Sequence, residues 1–198
     1  MNESRSIGFI GLGAMGLGIA SRLLAKGHRV TAHDVRPEVR DPWVGLGGRW
    51  APSPAEAADG AQALVLMVVN SDQVESVLFG AQGALSTLAP GTVVIVHSTV
   101  SPAYSRQLGE RLAGAGFPML DAPVSGGVAA AGNGTLSVMA SGGGPAFAAS
   151  EGILAAVAAR IHRIGDEPGL GSAVKTVNQL LAGADAAVCH YVVHTQKR

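Results

Sequence analysis

Strands alternating with helices along the whole chain predict an α/β protein: a doubly wound, mostly parallel sheet followed by one long C-terminal helix. Three stretches carry that prediction. The apolar run Ile7-Gly8-Phe9-Ile10 leads into Gly11-Leu12-Gly13-Ala14-Met15-Gly16, and a helical pattern then continues to Lys26, giving strand, glycine turn and helix. Ala63-Leu64-Val65-Leu66-Met67-Val68-Val69 is apolar throughout and reads as a strand covered on both faces, the habit of parallel sheets. Ser172 to about His194 reads as a single helix of roughly 34 Å at 1.5 Å per residue, with Val174, Val177, Leu181, Ala184 and Val188 on one face.

The 198 residues suffice for one large domain, or for one domain and part of another. Fourteen basic residues balance fourteen acidic ones and no basic cluster appears, which argues against nucleic acid and anionic membrane as partners. No apolar run approaches the roughly 20 residues of a bilayer span. Glu3 and the early glycines fall where a signal peptide has its charged and apolar regions. Cys189 stands alone, so no intrachain disulfide forms, which fits a reducing cytoplasm. Alanine and glycine replace aromatic and charged residues, and small residues suit close packing of helix on sheet.

In a glycine turn of this kind, the Rossmann-type fingerprint, the first glycine permits the tight bend and the second lets backbone approach a pyrophosphate. The third lets the helix lie close on the strand. The phosphates sit on unpaired N–H groups at the positive end of the helix dipole. Gly11, Leu12, Gly13, Ala14, Met15 and Gly16 are therefore candidate cofactor-binding residues. Arg29 to His33 reads as a second strand that ends at Asp34, 34 − 11 = 23 residues past the first glycine. A carboxylate there accepts hydrogen bonds from an adenosine ribose and repels a phosphate in the same place, by about 4 kcal/mol at 4 Å and an effective dielectric near 20. That favours NAD over NADP. Arg36 and Arg40 pull the other way, since either could reach a 2′-phosphate, and Asp34 could be a plain strand-end turn residue.

Pro37 to Gly48 has no clean period and predicts a loop with at most one helical turn, then a short strand over Gly48 to Ala51. Ser53-Pro54-Ala55-Glu56 is a helix start. The strand at 63–69 ends at Asn70. Ligands in open α/β sheets bind beyond the carboxyl ends of strands, so Asn70 could meet a nicotinamide edge; capping of a helix by Asn70 or Ser71 explains the residues equally well. Thr92 to Val96 is a strand with His97-Ser98-Thr99-Val100 at its carboxyl end, where His97 reads as a strand-end residue, and Ser101-Pro102 opens a helix to about Ala113. Pro118 to Ala122 is the next strand. It runs into Pro123-Val124-Ser125-Gly126-Gly127, a turn that could hold a carboxylate on its N–H groups or simply reverse the chain. Thr135 to Ala140 is a strand, Gly144-Pro145 opens a helix to about Ala159, and Ile161 to Ile164 makes a short last strand. The glycine- and proline-bearing stretch from Gly165 to Gly171 marks the boundary between a domain over 1–165 and the helix of 166–198. Lys175, Asn178 and Gln179, at i, i+3 and i+4, project from one side of that helix, either as a solvated face or, aimed by the glycines before them, as a site. His190 and His194 have metal-pair spacing but no evident third ligand, so no metal is expected.

Gly-Phe-Ile-Gly-Leu-Gly-Ala-Met-Gly at 8–16, Asp-Ala-Pro-Val-Ser-Gly-Gly at 121–127, Gly-Thr-Leu at 134–136 and Gly-Leu-Gly-Ser-Ala-Val-Lys-Thr-Val-Asn-Gln at 169–179 together resemble the β-hydroxyacid dehydrogenases. That family includes 3-hydroxyisobutyrate dehydrogenase, tartronate semialdehyde reductase, L-threonate dehydrogenase and 6-phosphogluconate dehydrogenase, and Asn178 followed by Gln179 looks most like the L-threonate branch. The resemblance implies NAD-dependent oxidation of the hydroxyl of a small β-hydroxy acid. It implies Lys175 as acid and base, Ser125, Gly126 and Gly127 as holders of the substrate carboxylate, and Asn178 and Gln179 as groups that orient substrate and lysine. Val69, Asn70 and Thr99 join the cofactor-binding set, the last two bordering the nicotinamide. An ordinary lysine pKa of about 10.4 must be lowered by burial before the amine takes a proton near neutrality; protonated, it can polarise a carbonyl in the reverse direction.

The chain also departs from the family. Gln179 is one methylene longer than the asparagine of relatives that carry a pair, and His97 stands where many relatives have an acid. In the family the long helix leads into an all-helical domain that closes the cleft and forms much of the dimer. The sequence stops at Arg198, and Cys189 to Arg198 resemble the family helix poorly, so a chain truncated before that domain is expected. Its apolar helix face is expected to pair two chains. A reading from another class is a non-catalytic dinucleotide-binding module or inactive fragment, because a cleft with one wall excludes water poorly. Turnover separates the two.

Overall fold

The computed structural model describes residues 4–195, with side chains described to residue 184. β1 (Ser6–Ile10) and β2 (Arg29–His33) pair in parallel, Ile7 beside Val30 and Ile10 beside His33, with α1 (Ala14–Ala25) as their crossover. β3 (Arg49–Trp50) extends that side. On the other side of β1 follow β4 (Ala63–Leu66), β5 (Val93–Val96) and β6 (Met119–Asp121), all parallel. The order β3-β2-β1-β4-β5-β6 reverses direction between β1 and β4, and that switch point is where open α/β sheets take ligands.

Alternation along the strands sorts the core into two layers. Phe9, Val65 and Ile95 pack with Ile19 and Leu23 of α1 and with Leu154 of α7 (Gly144–Val157). Ile10, Leu64, Leu66, Val94 and Val96 face the opposite side, against α3 (Pro54–Ala58), α4 (Ser71–Phe79) and α5 (Pro102–Gly114). With helices on both faces, every residue of β4 and β5 is buried, as the unbroken apolar run at 63–69 predicts.

Beyond β6 the sheet becomes mixed. β7 (Val124–Ser125) and β6 both run antiparallel to β8 (Leu136–Ser141), and β9 (Ala158–Gly165) pairs with β8 in parallel. α8 (Leu170–Thr195) follows. Among the described residues no helix is long and apolar enough to cross a membrane.

Four segments differ from expectation. The predicted loop at 37–48 holds a 3₁₀ turn, Pro37–Val39, and the helix α2 (Arg40–Gly45). Trp43 organises it, fully buried with its indole N–H donating to the Arg49 carbonyl at 2.8 Å. β4 ends at Leu66, short of Val69, because the Val68 N–H leaves the sheet to donate to Ser98 Oγ at 2.9 Å. A helix, α6 (Gly127–Asn133), stands where the sequence predicts only a turn, and it packs so closely on α1 that a Cβ on Gly18 would lie 3.0 Å from the Ala131 methyl. β9 has eight residues where four are predicted, because pairing along β8 claims Ala158 and Ala159 from the end of the predicted helix and adds Arg160 and Gly165.

Candidate functional site

At the switch point the three glycines differ in the space around them. Gly11 adopts φ +98°, its N–H donates to the His33 carbonyl at 2.9 Å, and a Cβ on it would fall 2.4 Å from the Met67 carbonyl oxygen. A Cβ on Gly16 would fall 1.9 Å from the Gly11 oxygen, so only glycine lets α1 lie this close to the turn. A Cβ on Gly13 would meet nothing within 4 Å. That open side is the approach a pyrophosphate needs. Gly13 caps α1 without a side-chain bond, and Ala14 and Met15 begin the helix with no acid in its first turn, leaving N–H groups for an anion.

Asp34 lies just past β2 and is buried. Its Oδ2 accepts the Leu12 N–H at 2.7 Å, and its Oδ1 accepts the Arg36 N–H at 2.9 Å. The Arg36 guanidinium adds Nε to Oδ1 at 3.0 Å and Nη2 to Oδ2 at 3.2 Å. Burial disfavours the carboxylate charge, but these hydrogen bonds from Arg36 and Leu12 outweigh it and hold the Asp34 carboxyl below its ordinary value. Asp34 therefore ties the end of β2 to the glycine turn, a role beyond that of a turn residue. A cleft of about 580 Å³ opens beside it, lined by Gly11, Gly13, Asp34, Arg36, Val35 and Val69 among others. Val35 and Val69 are 83% and 78% exposed, two apolar groups left facing water at this cleft. Arg40 is exposed on α2 and does not line it.

Asn70 caps α4: its Oδ1 accepts the Gln73 N–H at 2.9 Å, while Gln73 Oε1 accepts the Val69 N–H at 2.8 Å. Thr99 is exposed just beyond β5. His97 is buried, its Nδ1 2.6 Å from the Ala122 carbonyl and its Nε2 without a partner among the described residues, and burial pushes its pKa down. It serves as a strand-end residue holding β5 to the end of β6.

A second cluster, outside the lining of that cleft, is assembled by Asp121. Asp121, fully buried at the end of β6, accepts the Gly169 N–H at 2.8 Å, the Ser172 N–H at 2.9 Å and the Ser172 hydroxyl at 2.8 Å. Ser141 Oγ lies 3.4 Å from the same carboxylate and accepts the Gly171 N–H at 2.9 Å. A Cβ on Gly171 would fall 2.3 Å from the Met139 oxygen, so the glycine lets α8 enter in contact with β8. A remote carboxylate thus takes the place of a local cap. The only hints in the sequence are an acid opening the 121–127 motif and a serine inside the 169–179 one.

So moored, α8 brings three of its predicted residues into different settings. Lys175 is buried to 6% exposure, and burial pushes its pKa below the ordinary lysine value. Asn178 is half-buried and its Oδ1 accepts the Ser125 hydroxyl at 3.2 Å. Gln179 is exposed and joins no side-chain hydrogen bond among the described residues. Gly126 and Gly127 have φ of +134° and +75° where β7 turns into α6, a conformation that excludes other residues without strain. The opposite side of α8 exposes Val174, Val177 and Leu181. Val188, Cys189, His190 and His194 lie outside the described side chains.

Known proteins resemble the chain in sequence and in fold. The chain is 48% identical to an L-threonate dehydrogenase of Cupriavidus necator over 93% of its own length and 62% of that protein's. It is 37% identical to a 3-hydroxyisobutyrate dehydrogenase of Pseudomonas aeruginosa over 89% of its own length and 59% of that protein's. A crystal structure of 3-hydroxyisobutyrate dehydrogenase from Salmonella typhimurium superposes with a TM-score of 0.89 at 40% identity, covering 93% of this chain and 65% of that one. The chain thus spans about three fifths of the length of the curated relatives it matches. Residues 6–165 match the family model described as the NAD binding domain of 6-phosphogluconate dehydrogenase. With the open glycine turn, the acid after β2 and the switch-point cleft all inside that match, the chain belongs to this NAD-binding family.

Proposed function

We propose that the chain carries the cofactor site and the acid–base lysine of an NAD-dependent dehydrogenase that oxidises the hydroxyl of a small β-hydroxy acid such as L-threonate or 3-hydroxyisobutyrate. Lys175 carries this reading: it is buried, forms no ion pair among the described residues, and sits one helical turn before the asparagine that bonds Ser125. Burying an unpaired ammonium costs stability, which chemistry explains and packing does not.

The residues fit the cofactor. Gly11 to Gly16 hold the pyrophosphate where a side chain on Gly13 would intrude, Asp34 takes the adenosine ribose, and Val35 and Val69 flank the adenine. Asn70, through the part of its amide not used in capping, and Thr99 border the nicotinamide. Bound NAD supplies the acceptor for a hydride. Ser125 and the N–H groups that follow the two positive-φ glycines hold the substrate carboxylate. Asn178 and Gln179 orient substrate and lysine. Lys175 takes the hydroxyl proton, which its lowered pKa permits closer to neutrality, and in reduction returns it to the carbonyl oxygen.

A cytoplasmic setting and the pairing of two chains through Val174, Val177 and Leu181 complete the proposal. Sedimentation tests the pairing, and a monomer across micromolar concentrations refutes it. The activity test incubates the chain with NAD and a panel of L-threonate, 3-hydroxyisobutyrate and glycerate while following absorbance of the reduced cofactor. Reduction with at least one acid is expected. Saturable NAD binding with no reduction by any acid would instead establish a binding module.

A further inference from the structure

We propose that the Arg36 guanidinium is a placeholder for the adenosine ribose, filling in the free protein the acceptor sites on Asp34 that a ribose diol takes, and that its displacement decides how sharply the site prefers NAD to NADP. The inference rests on the NAD-binding reading of the glycine turn.

A carboxylate offers about four acceptor sites, two on each oxygen. On Asp34 all four are filled. Oδ1 takes the Arg36 N–H at 2.9 Å and Nε at 3.0 Å, and Oδ2 takes the Leu12 N–H at 2.7 Å and Nη2 at 3.2 Å. The two backbone bonds are fixed, because giving up either would move the glycine turn or the end of β2. The two side-chain bonds come from one guanidinium whose side chain is 48% exposed, against 6% for that of Asp34. They lie one on each oxygen. A ribose with free 2′ and 3′ hydroxyls also offers two donors from neighbouring atoms. It therefore exchanges one fork of donors for another on an acid with no other acceptor site free, and the half-exposed arginine turns toward water at small cost.

Displaced, Arg36 stays at the rim of the cleft, two residues from the carboxylate. A 2′-phosphate there meets the charges of Asp34 and Arg36 together, so the repulsion that would exclude NADP is blunted. Arg40, outside the cleft lining, does not share the role.

The test is titration of the wild-type chain and Arg36→Met with NAD and with NADP, read by calorimetry, with a melting curve to establish that the variant is folded. Loss of the competitor tightens NAD by about two- to fivefold, and loss of the cation weakens NADP by about tenfold, so the preference for NAD widens about twentyfold or more. If the wild type binds NAD while Arg36→Met leaves the NAD constant unchanged or weaker, the placeholder role is refuted and the NAD site stands. If the wild type binds neither dinucleotide, the NAD-binding reading fails and takes this inference with it.

Discussion

Around the glycine turn the backbone itself shapes the candidate site, whereas around Lys175 side chains reach across the fold to shape it. Gly11, Gly13 and Gly16 act by lacking atoms, and their neighbours in sequence complete the turn. Lys175 depends on Asp121, 54 residues earlier by 175 − 121, whose carboxylate fixes the first turn of α8 through three close hydrogen bonds. The first kind of site fails when volume is added. The second fails when a polar partner is taken away.

Four substitutions test that contrast. Lys175→Ala is expected to lower turnover about a thousandfold while NAD affinity changes less than about twofold, since general acid–base groups contribute about 10²–10⁴; steady-state rates and a binding titration check it. Residual turnover near wild type removes the lysine from the mechanism. Asp121→Ala leaves two buried N–H groups and a hydroxyl without an acceptor, and should destabilise the fold by about 4 kcal/mol in urea unfolding. An effect under about 1 kcal/mol means that water or another group caps α8 instead.

Adding one methyl separates the glycines. Gly16→Ala is expected to cost about 3 kcal/mol of stability, because its Cβ would lie 1.9 Å from the Gly11 oxygen. Gly13→Ala should melt like the wild type yet bind NAD about tenfold more weakly, since its methyl enters only the open approach. Equal melting and equal binding of the two variants would refute this division of labour.

The smallest effect concerns proton linkage. The pKa of Lys175 is lower in the folded chain than in the unfolded one, so between the two values the unfolded chain binds more protons and stability rises with pH. Below that window the full cost of the buried ammonium is present. Lys175→Met therefore should raise the melting temperature by about 2–4 °C at neutral pH, with the gain shrinking as pH climbs toward the ordinary lysine value. A gain that is flat with pH would assign it to packing alone.

The same contrast explains what could be read from the chain before its fold was known. β1, the glycine turn, α1 and the acid after β2 are contiguous and each has a local signature, so strand, turn, helix and the NAD-binding family are all legible there. α6 was hidden because Gly126-Gly127 looks like a turn, and the helix after it is set by contact of Ala131 with Gly18 of α1. Ala158 and Ala159 are good helix formers that pairing with β8 draws into β9, a tertiary contact overriding propensity. The motifs single out Lys175, Asn178 and Ser125, and the structure shows the first buried and the other two hydrogen-bonded to each other. Asp121 was not recognised as their support, since its partners Ser141, Gly169 and Ser172 lie 20 to 51 residues away. Asn70 could be read two ways, and its cap bond to Gln73 became visible only in three dimensions.

The close crossing of α1 and α6, where Gly18 meets Ala131 and Gly132, fixes the spacing of the two helices. Under the proposed function, α1 begins at the cofactor phosphates and α6 just past the turn that holds the acid's carboxylate, so that spacing would bear on the reach of acid accepted. A side chain at position 18 would wedge the two helices apart.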